Sequence, residues 1–386
     1  MTPNVQGFMY PNEVELTWSI LIVLYPFITG LVAGAFILAS LARVFNIAAV
    51  QPIYRLSLLT ALAFLLVAPL PLQLHLGHPE RSYEMYMTPH RTSAMAMFGF
   101  VYLWYLLVVL LLEIWLDYRR DIILAAQSRT GVMKWIYSAL TLGSRNIDAK
   151  SLHVDDRVGW LVTLIGIPSA FLLHGYVGFI FGSVKANPWW STPLMPVVFL
   201  FSAMVSGIAV VLLVYRTVSY IRKRPVDMAC LDTVAKYLLY IFLIDFSLEM
   251  LDLVHRIYEA SESFRTLDFM VHTQLYTSQI VLQIFLGTLV PIALLTLVQV
   301  VKTGEVLRRR IDTLAAALTL LGIFAMRWNV VIGGQLFSKS FLGYTTYKMA
   351  FAAREGLLPA IALMILPLLI LWGLLKLLPP WVEQKV

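Results

Sequence analysis

The sequence predicts an all-α fold, a polytopic integral membrane helical bundle of about nine transmembrane helices, organised as one membrane domain over residues 1–386. Three observations predict it. Hydrophobic residues make up 60% of the chain and charged ones 13%, with a mean hydropathy of +0.79, more apolar surface than a soluble core hides. The apolar residues come in runs long enough to cross the hydrocarbon, which takes about 20 helical residues. The basic residues gather in alternate loops, as successive spans require.

Taken in order, the runs are 16–42, 53–75, 93–116, 158–182, 193–216, 234–257, 273–301, 311–334 and 356–379. Assigning the loops alternately to two sides puts 20 of the 29 lysines and arginines on one side. That side is therefore expected in the cytoplasm, with the N-terminus outside and the C-terminus inside. An even number of spans would break the alternation. The first run follows no basic segment and is too long for a cleaved signal, so it is expected to stay as a span. The net charge of +7 then reports topology, and nucleic acid is not an expected partner. The single cysteine, Cys230, allows no disulfide and no cysteine-ligated iron–sulfur or zinc framework, so a metal cluster is expected on a partner. In the 40 residues from Asp117 to Asp156, GVMKWIYSALTLG is too short to span. It reads as an interfacial amphipathic helix or as a plain loop.

Six of the seven histidines, His75, His78, His90, His174, His255 and His272, fall at or near the side opposite the basic loops, and only His153 falls among them. The stretch Gly166–Trp190 ends an apolar helix with His174 and Tyr176 two residues apart, then breaks at NPWW. The Trp189–Trp190 pair suits a headgroup boundary. A histidine and a phenol at that depth are the groups a hydroquinone needs for hydrogen bonding and proton exchange. Tyr176 also reads as an ordinary interfacial aromatic, flanked here by Gly175 and Gly178, which leave room for a ring. Two bis-histidine haems cannot be built from the histidines within the spans. The His75, His78, Glu80 loop has a spacing a metal would accept, but that spacing is unspecific, and a tight turn shaped by Gly77, Pro79 and Arg81 and capping the second span is the better reading.

Ionisable groups inside a span cost about 2.5–3.5 kcal/mol each even on a lenient scale. The sixth run carries Asp245, Glu249 and Asp252, followed by His255, at spacings that share one helical stripe. The stripe reads as a proton relay, or as a set of carboxylates that pair with Arg327 of the eighth run and tie helices together. Gly30 and Gly34 form a GxxxG pattern that permits close backbone approach.

Four stretches, GIPSAFLLHGYVGFIFGSVKANPWWSTPLMPVVFLFSAMVSG, YPFITGLVAGA, HLGHPERSYEMYMTPHRTSAMAMFG and LLGIFAMRWNVVIGGQ, resemble the membrane subunit of polysulfide reductase and its relatives, the NrfD family, and the resemblance covers most of the chain. Its most specific part is Tyr176-x-Gly178 followed by Pro188 and the tryptophans. The resemblance implies two four-helix bundles, residues 16–182 and 193–334, with 356–379 an additional helix as in the longer hydrogenase- and sulfur-complex-type members. It implies a menaquinone or ubiquinone near the outer face and no haem or iron–sulfur cluster bound by this chain. It also implies an iron–sulfur ferredoxin-like subunit outside and a catalytic subunit, often a molybdopterin enzyme. Tyr176 falls where polysulfide reductase places a tyrosine on the quinone headgroup, Tyr25 where it has a histidine, Ile22 where it has an asparagine, and His75 where many members have an aspartate.

The reading expected from all this is a quinone-binding subunit of a respiratory oxidoreductase in the prokaryotic cytoplasmic (inner) membrane. Its ligand contacts are Tyr25, His75, His174, Tyr176, Glu249 and Arg327, and its relay is Asp245, Glu249, Asp252 and His255. The rivals are a secondary transporter or proton-conducting protein using the same carboxylates, and a passive anchor.

Overall fold

The computed structural model describes residues 4–88, 90, 92–259 and 262–381. Nine long helices carry the described chain. Eight are long and apolar enough to cross a membrane: α1 (Ile20–Arg43), α2 (Ala48–His75), α3 (Met97–Ser128), α4 (Ala149–Gly182), α5 (Met195–Ile221), α7 (Tyr276–Val300), α8 (Glu305–Gln335) and α9 (Leu357–Leu377). The remaining one, α6 (Met228–Glu259), is 32 residues long and carries Asp232, Lys236, Asp245, Glu249 and Asp252, charges that keep it from qualifying by composition alone. The expected count of nine therefore depends on α6.

Several helices outrun their apolar stretches. The expected span 93–116 continues to Ser128 and 158–182 begins at Ala149, because helix-favouring polar residues extend each helix beyond the segment hydropathy can see. The GVMKWIYSALTLG segment contains a helix, Gly131–Leu140. Val132, Met133 and Trp135 on it are exposed, the arrangement of a helix lying on an interface, while Tyr137 donates to the Leu377 carbonyl at 2.7 Å. The loop alternative is thereby replaced.

Helix α1 is the centre of the packing, buried along almost its whole length. It contacts α2, α4, α5 and α8, while α9 packs on α2, and α6 and α8 pack on α5. Its crossing with α5 is set by glycines. A Cβ at Gly34 would lie 2.2 Å from the Ala203 carbonyl oxygen, and one at Gly207 would lie 2.3 Å from the Gly34 Cα, so the two backbones touch. The GxxxG pattern marks this seam. Helices α7 and α8 meet in the same way at Gly287 and Gly322. The first part of α7, Tyr276–Leu289, is π-helical, a form that recurs where a helix carries function.

The two ends differ. At the arginine-rich end, Arg43 and Arg55 share Asp117 at 3.3 and 2.7 Å, and Arg55 also reaches Asp121 at 2.7 Å. At the histidine-rich end, the segment before α1 pairs with that before α9 as a short antiparallel ladder, Gln6–Gly7 with Gly343–Tyr344. There the NPWW segment after α4 closes the last turn of α8. Asn187 donates to the Gly334 carbonyl at 2.7 Å, and the indoles of Trp189 and Trp190 donate to the carbonyls of Asn329 and Val330 at 2.8 and 2.6 Å. A helix C-terminus leaves four carbonyls unsatisfied, and three side chains meet that need. Trp190 is buried and stacked on Trp18. The pair expected at a headgroup boundary also caps a helix, Trp190 buried and Trp189 half-buried.

Candidate functional site

Three helices bring a polar cluster into the interior. His174 on α4 and Arg327 on α8 are both fully buried, and their side chains meet at 3.1 Å, Arg327 Nη2 to His174 Nε2. A guanidinium only donates, so Nε2 must carry the lone pair and the ring proton sits on Nδ1. Nδ1 therefore donates to Thr29 Oγ1 of α1 at 3.3 Å, and Thr29 donates to the Tyr25 carbonyl at 3.0 Å. His174 is a neutral link between Arg327 and the backbone of α1. Gly30 makes room for it, since a Cβ there would lie 3.2 Å from the ring.

Arg327 also donates to Ser202 Oγ at 2.7 Å and stacks 4.0 Å above the Phe199 ring, a cation–π contact strengthened by desolvation. The expected pairing of Arg327 with carboxylates takes another form. Among the described residues no ion pair joins it to Asp245 or Glu249, although both lie within its electrostatic reach. Arg327 Nε and Asp245 Oδ1 are buried without partners. The direct partners of the guanidinium are neutral: the His174 imidazole, the Ser202 hydroxyl and the Phe199 ring.

Residues two apart on a helix point to different sides, and Tyr176 has surroundings quite unlike those of His174. Its hydroxyl is buried without a hydrogen-bond partner, and it lies within electrostatic reach of the buried Tyr25 phenol. Tyr25 packs edge-on against Phe98 of α3, ring centroids 5.4 Å apart. The structure thus brings His174 to Arg327 and leaves Tyr176 within electrostatic reach of Tyr25.

The other expected contacts lie elsewhere. His75, at the end of α2, holds Glu355 at 2.8 Å in the loop before α9. Glu249 lines a separate cavity of about 410 Å³ whose walls include neither Tyr25 nor Tyr176. Of the stripe on α6, Asp245 is buried and Glu249 accepts from Gln283 at 3.3 Å. Asp252 is held by Thr192 at 2.6 Å and Arg256 at 2.8 Å, and His255 is exposed. His78 bonds Glu80 at 2.9 Å. Among the described residues no group of three His, Cys, Asp or Glu side chains is placed to hold a metal ion.

Sequence reasoning missed several groups. Glu113 on α3 is fully buried, bonded by Tyr54 at 3.0 Å and Thr163 at 2.7 Å. Asp312 on α8 is buried with neither oxygen bonded. An acid within or at the edge of an apolar run was the available signal for both. Ser202, Thr29, Gln283 and Asn329 complete the polar network, and as neutral residues they carry no comparable mark.

The bundle and its interior cluster define a multi-pass integral membrane protein whose helices are organised about a buried arginine, histidine and carboxylates. The chain belongs to the NrfD family, the polysulphide reductase NrfD family, whose profile matches residues 9–339; α9 lies beyond that match. It is similar to a selenate reductase subunit of Mesobacillus selenatarsenatis, 35% identical over 204 residues, which cover 52% of this chain and 48% of that protein. It is also similar to a putative dimethyl sulfoxide reductase membrane subunit of Halobacterium salinarum, 28% identical over 205 residues (51% and 42%), and to the protein NrfD of Escherichia coli, 29% identical over 208 residues (52% and 59%). The chain's matches span about half the length of these relatives.

Proposed function

We propose that this chain is the quinone-binding membrane subunit of a multisubunit respiratory oxidoreductase. It exchanges electrons between menaquinone or ubiquinone in the membrane and an iron–sulfur, ferredoxin-like partner on the outer side, which serves a catalytic subunit of the molybdopterin type. The observation that carries this reading is the Tyr176 hydroxyl, buried, unpartnered and near a second buried phenol. An unsatisfied buried polar group costs about 1–3 kcal/mol, and a ligand oxygen at Tyr176 relieves that cost. Family membership and relatives described as subunits of selenate and dimethyl sulfoxide reductases support assignment to such a complex.

A bound quinone supplies two-electron, two-proton chemistry. Tyr176 holds a ligand oxygen by its hydroxyl, Tyr25 and Phe98 form the wall beside it, and the His174–Thr29 link fixes α1 against α4. His75 and Glu355 serve as proton acceptors at the histidine-rich end. That end faces outward, with the C-terminus in the cytoplasm and the chain in the prokaryotic inner membrane. In the assembled complex, Tyr176→Phe is expected to slow turnover of a saturating quinol analogue by about tenfold or more while the partners still copurify. Full activity in that variant removes Tyr176 from the site.

The same reading includes proton movement through Asp245 and Glu249, with Asp252 acting as an anchor for Arg256 and His255 lying at the exposed end of the stripe. The unpartnered Oδ1 of Asp245 supports it. Asp245→Asn is expected to abolish gradient formation by the complex in proteoliposomes while electron transfer continues. An unchanged gradient would leave Asp245 with a packing role alone.

A further inference from the structure

The arginine-rich end of the bundle holds an open crevice of about 840 Å³, walled by the ends of α1, α2, α3 and α4 and by Pro380–Trp381 after α9. That volume is within the size range of small-molecule sites. Trp381 is fixed in place, its indole donating to the Pro52 carbonyl at 2.9 Å. On α4, Trp160 and Leu161 line the crevice and are also exposed. Arg157 lines it as well, and spacings of three, four and seven put Arg157, Trp160, Leu161 and Leu164 on one helical face. All three apolar side chains are exposed, and they continue from Arg157 deeper into the span. A guanidinium above an apolar strip matches a phospholipid, with its phosphate at the headgroup level and its chains along the helix.

The charges around the crevice are unequal. Arg43, Arg55 and Arg157 line it together with Asp117 and Asp156. Arg55 also holds Asp121, while Arg222 and Arg224 lie over the Trp381 ring at 5.7 and 5.5 Å, so arginines outnumber aspartates. Arg43 and Arg55 are engaged by the aspartates. Arg157 is exposed and has no hydrogen-bond or ion-pair partner among the described residues, which leaves its guanidinium open to a phosphodiester. Acceptors are open too. Asp156 uses Oδ1 on Arg43, leaving Oδ2, and Gln51 donates its amide to the Ala42 carbonyl at 3.0 Å, leaving Oε1. The occupant that suits these walls carries net negative charge and brings hydroxyl donors. A choline headgroup is neutral overall and has no donor, ethanolamine cancels the phosphate charge, and a soluble phosphate leaves the apolar strip uncovered.

We propose that this crevice seats an anionic glycerophospholipid with a hydroxyl-bearing headgroup, of the phosphatidylglycerol type, its phosphate on Arg157 and an acyl chain along Trp160, Leu161 and Leu164. The test uses the full chain in phosphatidylcholine vesicles doped with a phosphatidylglycerol carrying a diazirine in its acyl chain, irradiated and digested for mass spectrometry. Label is expected on segment 160–165, several-fold above that from a phosphatidylcholine probe at the same mole fraction. Unlabelled phosphatidylglycerol should compete, and glycerol phosphate should not. Arg157→Gln, at an exposed position with no partner to lose, should lower the labelling about fivefold, the effect of one arginine on an anionic lipid. Arg310→Gln makes the same charge change at an exposed site on α8 and should leave the labelling unchanged. Equal labelling by the two probes, displacement by glycerol phosphate, undiminished label in Arg157→Gln, or an equal loss in Arg310→Gln, which would mean bulk attraction to a basic surface, overturns the proposal.

Discussion

Arg327→Leu is expected to destabilise the protein by about 3–5 kcal/mol, the cost of removing one partner from a buried charged cluster. The side chain is fully enclosed, and it is the cation within electrostatic reach of both Asp245 and Glu249. Its loss also removes the donor that sets the tautomer of His174 and the partner of Ser202. The check is thermal unfolding in detergent. Combining Arg327→Leu with Asp245→Asn should recover a large part of the loss, because the neutral amide no longer needs a counter-charge. Strictly additive effects in that double-mutant cycle would mean that the arginine and the carboxylate act independently across the gap between them.

Gly34 is the position where a single added carbon should do most harm to packing. Its Cβ would sit 2.2 Å from the Ala203 carbonyl oxygen, and helix α5 cannot yield without opening the seam in which Gly30 also lies against Ala203. Overpacking of this kind costs about 1–3 kcal/mol where neighbours can shift, and backbone shifts less easily than a flexible side chain. Gly34→Ala is expected to lower the thermal midpoint clearly, and Gly34→Val to leave little folded protein. Gly373→Ala on α9, where nothing lies within 4 Å of the new carbon, is the matched control and should be near neutral. Equal behaviour of Gly34→Ala and Gly373→Ala would remove the seam from the account of stability.

The nine helices, the amphipathic Gly131–Leu140 segment and the close approach at Gly34 were all legible in the residue order. Partition into lipid sums locally over about 20 residues, and the GxxxG spacing is equally local. His174, Arg327, Asp245 and Glu249 stood out one by one, because a charge or an imidazole in an apolar run needs a reason. Their company was harder to read. Arg327 invited a carboxylate and met a histidine 153 residues away, while Trp189 and Trp190 invited a headgroup and met the carbonyls of α8.

Sequence alone was enough to say that the chain crosses a membrane repeatedly, roughly where its long helices run and which of its residues are costly to bury. Only the folded arrangement decided that the Tyr176 hydroxyl is left without a partner while His174 bonds Arg327 and Thr29, that Glu249 opens on a separate cavity with Gln279, and that the tryptophans cap a helix. The division has a physical basis. Insertion depends on each segment's own solvation, whereas partnership between side chains depends on how every helix is rotated about its axis, and that rotation is set by distant backbones meeting at glycines such as Gly34 and Gly207.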